Sequence, residues 1–161
     1  MLKKPGISLW LLLLCSVAVH AETLSGKVVR ITDGDTLVIL DANKTQHKIR
    51  LAGIDAPEAK QAFGQKSKER LSQSVAGQQV AVDWSKRDRY DRIVGKIIYD
   101  GQDVNLAQIR AGLAWWYRKY AQEQSPVDRQ LYEAAEVKAR ANQVGLWSAS
   151  DPIPPWDWRK R

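Results

Sequence analysis

The chain has one cysteine, one methionine, one phenylalanine and two histidines in 161 residues. Met1, Cys15 and His20 all fall within the first 21 positions, so residues 22–161 keep His47 alone and no thiol. Each scarcity excludes some chemistry. No zinc site can be assembled from Cys and His, and there is no cysteine nucleophile. A mechanism that shuttles protons between two histidines is ruled out within residues 22–161. No disulfide can staple this part of the chain, so its core must hold it alone. Catalysis, if present, must come from carboxylates, arginines, lysines, hydroxyls or a metal held by oxygen.

The opening MLKKPGISLWLLLLCSVAVHAE puts Lys3 and Lys4 ahead of an apolar run from Ile7 to Val19. Val19-His20-Ala21 fits the small-residue cleavage rule. A secretory signal peptide cut after Ala21 is therefore expected, because the run is short for a bilayer span. A periplasmic or secreted protein follows, with residues 22–161 as a single domain able to bury a core. The formal charge is +7. Loss of the leader removes Lys3 and Lys4 and no acid, leaving a basic +5. That surplus suits a polyanionic partner such as nucleic acid or an anionic surface.

Residues 24–32 alternate as a strand, Asp33-Gly34 signals a hairpin turn, and 36–40 is a second strand. A turn at 42–44 leads to a third strand over 45–51, with Ile49 and Leu51 on one face and Lys48 and Arg50 on the other. Over 58–76 the two-residue period is lost, and Phe63, Ser67, Leu71 and Val75 share one helical face up to Gly77. Strands at 79–85 and 92–104, the latter around Asp100-Gly101, precede a short helix over 105–111 ending at Gly112. Ser125-Pro126 is an N-cap followed by proline at the first helical position. The helix 126–142 is expected to turn Val127, Leu131, Ala134, Ala135 and Ala141 to a core, with Gly145 closing it. The tail 151–161 is read as irregular because of its prolines. Five main strands with a helix between the third and fourth suit an α+β fold: a Greek-key barrel of the OB type with about three helices. A split α+β sheet is the alternative.

The acids then need an explanation. Asp33 is accounted for by its turn. Asp35 opens a strand, where aspartate is disfavoured. Taken singly, Asp55 reads equally as a turn residue or helix cap, and Glu58 as an acid that favours the dipole at a helix start. In a meander, the start of the second strand lies near the end of the third, so Asp35, Arg50, Asp55 and Glu58 can meet at one end of the sheet. Close carboxylates repel unless a cation or proton sits between them. Oxygen-only ligands suit Ca²⁺ or Mg²⁺, and arginine beside a cation calls for a bridging anion such as phosphate. This is a layout for phosphodiester hydrolysis. In KRDRYDRIVGK, residues 86–96, Arg92 is the best second arginine because it enters a strand. Arg87 and Arg89 read as a solvated run facing nucleic acid.

The stretches VVRITDGDTLVIL, IRLAGIDAPE, DRYDRIVGKIIYDGQDVNLAQIRAGLAWWY and ANQVGLWS together resemble the thermonuclease family, the staphylococcal-nuclease-like proteins, in a secreted bacterial form. They cover nearly all of residues 22–161 in order. The resemblance implies an OB barrel with helices and Ca²⁺-dependent hydrolysis of DNA and RNA with little sequence preference, leaving 3′-phosphate and 5′-hydroxyl ends. It implies one Ca²⁺ held by Asp35, Asp55 and the Ala56 carbonyl. Arg50, Glu58 and Arg92 fall on the catalytic positions. The arginines would bind phosphate, and Glu58 would either orient the attacking water or act as its base. Arg89, Tyr90 and Tyr120 are the expected substrate contacts, and a monomer is expected. The sequence departs at Ala56, which stands where the staphylococcal form has threonine, and in a shorter segment from Glu58 to Phe63. The ending WDWRKR has no clear counterpart; it either caps the barrel or stacks on bases. The competing reading is a non-catalytic OB-fold module that binds nucleic acid at the cell envelope. Retention of Asp35, Arg50, Asp55, Glu58 and Arg92 favours the enzyme.

Overall fold

A computed structural model describes residues 22–161. The expected leader lies outside the described residues. Strands β1 (Glu22–Ile31), β2 (Thr36–Leu40) and β3 (Gln46–Leu51) form the meander, and β4 (Ile54–Asp55) is a short strand beyond it. Helix α1 (Gly64–Val75) is followed by β5 (Gln79–Arg87), β6 (Ile93–Tyr99), β7 (Gln102–Asp103) and α2 (Val104–Arg110). Then come β8 (Trp115–Trp116), a 3₁₀ segment at Arg118–Glu123, α3 (Pro126–Ala141), a second 3₁₀ turn at Gly145–Ser148 and the single turn α4 (Pro155–Trp158).

The antiparallel order β3-β2-β1-β5-β6 is closed by a parallel pairing of β3 with β6, in which Arg50 lies opposite Val94. This is a closed five-stranded mixed barrel with helices on it, the OB-like α+β fold expected. The alternating residues Leu37, Ile39, Ile49, Leu51, Val80, Val82, Ile93 and Ile97 are buried in its interior, as the two-residue period requires. Leu71 and Val75 of α1 and Leu106 and Ile109 of α2 join the same core. A second cluster gathers Trp115, Ala139, Leu146 and Trp147, with Phe63 and Trp156 against it.

Three expectations change. The helix expected from residue 58 begins at Gly64. Residues 58–63 are instead tight turns, with Gln61 N–H donating to the Glu58 carbonyl and Gly64 N–H to that of Gln61. Phe63 has φ +65°, a left-handed conformation foreign to a right-handed helix. In α3 the buried face is Tyr132, Ala135, Glu136 and Ala139. Val127 and Leu131 are exposed, as are Ala134 and Ala141. The core-facing stripe is set by a buried acid: Glu136 accepts from Trp116 N–H at 3.1 Å and pairs with Arg118 at 2.7 Å. An apolar count cannot see that face. Finally, the tail is not wholly irregular. Pro155 sits at the first position of α4, where its missing N–H costs nothing.

Candidate active site

The acids come together through backbone geometry. Asp33 Oδ1 accepts from Asp35 N–H at 3.0 Å, the side-chain turn expected of Asp before Gly. That turn delivers Asp35 to the head of β2, where its carbonyl accepts from Leu51 N–H at 2.8 Å. Thr36 lies opposite Arg50 across the β2–β3 ladder. Asp55 is fixed in β4 opposite Trp115 of β8. The Ala56 N–H donates to Asp35 Oδ2 at 2.6 Å, tying the two acidic segments directly.

Arg50 links the acids. Its Nη2 lies 2.8 Å from Asp55 Oδ1 and 3.1 Å from Asp35 Oδ2, so one guanidinium nitrogen serves both carboxylates. Its Nη1 donates to the Leu51 and Ile54 carbonyls, each at 2.9 Å. The residue read from sequence as lying on the polar face is therefore locked into the end of the barrel. Asp35 and Asp55 are 6% and 1% exposed, so neither is relieved by water. Burial pushes the Asp35 carboxyl up to about 7; Arg50 opposes this, while Asp33 and Asp55 add to it. Two neighbouring buried carboxylates are hard oxygen donors of the kind Ca²⁺ and Mg²⁺ accept. The donor set fits such a cation, with Ala56 beside it. Among the described residues, no three of His, Cys, Asp and Glu converge as a ready-made cage, so remaining ligands would have to come from water, backbone or substrate.

Arg92 stands just before β6 and is held by Asp88, with Nε donating to Oδ2 at 2.7 Å. Burial works to raise the Asp88 carboxyl, but hydrogen bonds from the Arg92 side chain and backbone and from Tyr90 N–H hold it below the usual carboxylate range. Arg92 thus lines the site while held by its own acid, apart from the Arg50 ion pairs with Asp35 and Asp55. All nine residues expected at the site (Asp35, Arg50, Asp55, Ala56, Glu58, Arg89, Tyr90, Arg92 and Tyr120) line one cleft of about 680 Å³. Tyr90 is 64% exposed, with the Arg89 and Arg92 guanidinium groups over its ring at 4.9 and 5.4 Å. Tyr120 stands edge-on to Tyr117 at 4.9 Å, with Lys86 and Lys119 nearby.

The scaffold behind the cleft is polar and buried. Gln108 Nε2 donates to the Gly34 carbonyl at 2.9 Å and to that of Ser67 at 3.0 Å, joining the Asp35 turn to α1 and α2. Asn105 Nδ2 donates to the carbonyls of Ala52 and Gly95, binding the segment that carries Asp55 to β6.

One residue bonded directly to the acids of the site was missed from the sequence. Arg159, from the tail, donates from Nη2 to Asp55 Oδ2 and from Nη1 to Glu58 Oε1, both at 2.7 Å. Its partial burial works against the charge, but the bonds to Asp55 and Glu58 hold the guanidinium firmly protonated. Nothing in WDWRKR signals this, because the contact spans more than a hundred residues of chain. Tyr117, Lys86 and Lys119 also line the cleft.

The staphylococcal nuclease homologue family profile matches residues 48–149, which take in Arg50, Asp55, Glu58 and Arg92. The chain belongs to the staphylococcal nuclease family. Within that nuclease family, a protein of Escherichia coli described as an uncharacterized endonuclease is 42% identical over 151 residues, covering 93% of this chain and 94% of its own. A micrococcal nuclease of Shigella flexneri is 41% identical over 157 residues, covering 92% and 87%. An uncharacterized endonuclease of Haemophilus influenzae is 39% identical over 154 residues, covering 96% and 83%. The likeness therefore runs through the barrel and the helices alike, beyond the acidic loops.

Proposed function

We propose that the protein is an exported, metal-dependent phosphodiesterase that cleaves DNA and RNA endonucleolytically with little sequence preference, leaving 3′-phosphate and 5′-hydroxyl ends. The observation that carries this reading is the meeting of Asp35, Asp55 and Glu58 with Arg50 and Arg92 in one cleft. Asp35 and Asp55, with the Ala56 carbonyl, would hold a single Ca²⁺, which when bound supplies Lewis-acid neutralisation of phosphate charge. Glu58, the least buried of the three acids, takes the proton of a water or orients it as the water oxygen bonds to phosphorus. The bond from phosphorus to the 5′-oxygen breaks, and that oxygen ends protonated. Arg50 and Arg92 offer fixed N–H donors to the phosphoryl oxygens as their charge builds; a transition-state arginine is worth about 10³ to 10⁵ in rate. Arg89, Tyr90 and Tyr120 extend the cleft for neighbouring phosphates and bases. Their exposure suits a single strand or a frayed duplex end. Residues 1–21 act in this reading as a cleaved leader to the periplasm or the exterior, and the enzyme works as a monomer.

The test is cleavage of an end-labelled single-stranded DNA in Ca²⁺, in Mg²⁺ and in excess chelator, beside Arg50→Ala and Glu58→Gln. Cleavage that requires Ca²⁺, leaves 3′-phosphate ends and collapses in both variants is expected. Tight binding without cleavage in any metal would reduce the protein to a binding barrel.

A further inference from the structure

The tail is built to place Arg159. Gln61 Nε2 donates to the Ile153 carbonyl, clamping the tail against the turn after Glu58. Trp156 stacks on Tyr117 with ring centres 5.2 Å apart and planes 5° from parallel, and meets Trp115 edge-on at 5.6 Å. The α4 turn closes with Arg159 N–H donating to the Pro155 carbonyl at 3.0 Å. The Gln61 bond and the Trp156 ring contacts thus hold the turn that carries the guanidinium bridging Asp55 and Glu58. The two basic residues that follow it are engaged elsewhere: Lys160 pairs with Asp157, and Arg161 lies over the Trp158 ring.

Asp55 carries more positive charge than one carboxylate needs. Arg50 takes Oδ1, while Arg159 takes Oδ2 at 2.7 Å and approaches Oδ1 at 3.3 Å. A divalent cation ligated by Asp55 would face the Arg159 guanidinium at near-contact range, where like charges repel strongly in a partly buried site. Arg50 cannot give way, because its other nitrogen is bound to two carbonyls. Arg159 can, because its side chain is 42% exposed.

From this we infer that Arg159 is an internal counter-cation of the metal site, which a divalent ion must displace from Asp55 and Glu58 in order to bind. The inference rests on the metal-dependent reading above. Displacement also frees Glu58 from its ion pair, so metal loading and release of the carboxylate that handles water become one event. A guanidinium released at the cleft wall is left beside the phosphate path, where its preferred partner is an anion.

The experiment is calorimetric titration of Ca²⁺ alone into the purified protein and into Arg159→Gln, Arg159→Lys and the tail control Arg161→Gln. Melting curves with and without the ion accompany it. Loss of the competing guanidinium is expected to tighten Ca²⁺ binding about tenfold in Arg159→Gln, a factor that corresponds to about 1.4 kcal/mol. Arg159→Lys, which keeps the charge but not the fork, is expected to fall between, and Arg161→Gln to match the parent. The Lys variant carries the test if the Gln variant fails to fold. Unchanged or weaker Ca²⁺ binding in folded Arg159 variants, with normal binding by the parent, overturns the inference alone. Absence of Ca²⁺ binding in every protein overturns the metal reading and the inference with it.

Discussion

Asn105→Ala is expected to damage stability and catalysis together. Asn105 is fully buried, and its Nδ2 donates to the Ala52 carbonyl at 3.0 Å and the Gly95 carbonyl at 3.1 Å. Its Oδ1 accepts from Ile97 N–H at 3.2 Å. After truncation the Gly95 carbonyl keeps the Ala52 N–H at 2.8 Å. The Ile97 amide loses its Asn105 partner in a buried setting, and the Ala52 carbonyl loses its own at the half-buried wall of the cleft. At about 1–3 kcal/mol for the stranded amide and about 1 kcal/mol or less for the half-buried carbonyl, the loss comes to about 1–4 kcal/mol. That is a large share of the roughly 5–15 kcal/mol typical of a domain. Urea unfolding followed by tryptophan fluorescence reads it as a lower midpoint at unchanged slope. Ala52 also begins the segment that carries Asp55, so the folded fraction is expected to cleave DNA about 10²-fold more slowly if the acid shifts by about an ångström. A loss below about 1 kcal/mol, or full activity in the folded fraction of a destabilised variant, would refute the reasoning.

Three other outcomes are expected. Gly64→Ala places a Cβ 1.9 Å from the Glu58 carbonyl oxygen; it should lower the melting temperature and reduce kcat, and an active variant of normal stability would contradict the packing. Asp88 is held below the usual carboxylate range in the folded chain. Its contribution to stability is therefore present above the unfolded carboxylate pKa and lost as pH falls through the folded one. Asp88→Asn should be less stable than the parent at neutral pH and converge with it in acid, as followed by melting temperature across that range. Lys119→Ala should weaken binding of a non-cleavable oligonucleotide and lower the salt slope by about one phosphate contact, with little effect on maximal rate.

Residue patterns carried much of this protein on their own. The alternation of Leu37, Ile39, Ile49 and Leu51, the Asp33-Gly34 and Asp100-Gly101 turns and the Ser125-Pro126 helix start are local signals. Local physics set them: strand pleat, turn conformation and capping act over a few residues. The order of strands and helices suited the OB barrel but left a split sheet open, and the resemblance to the thermonuclease family favoured the barrel. Asp35, Arg50 and Asp55 could be grouped because a meander brings neighbouring strands together with little chain between.

Tertiary structure decided what depends on distant partners. The buried face of α3 follows Glu136, whose carboxylate is acceptable inside because Arg118, Arg140 and the Trp116 N–H reach it. The late start of α1 follows the close wrap of the Glu58–Gly64 turn, where a glycine is needed against a carbonyl. The closure of β3 on β6 joins strands separated by β4, a helix and β5. Arg159 reaches Asp55 and Glu58 because Trp156, Tyr117 and Gln61 hold the tail there. No spacing rule encodes such a contact: an ion pair records only where two side chains end up, and that is fixed by the folded surface between them.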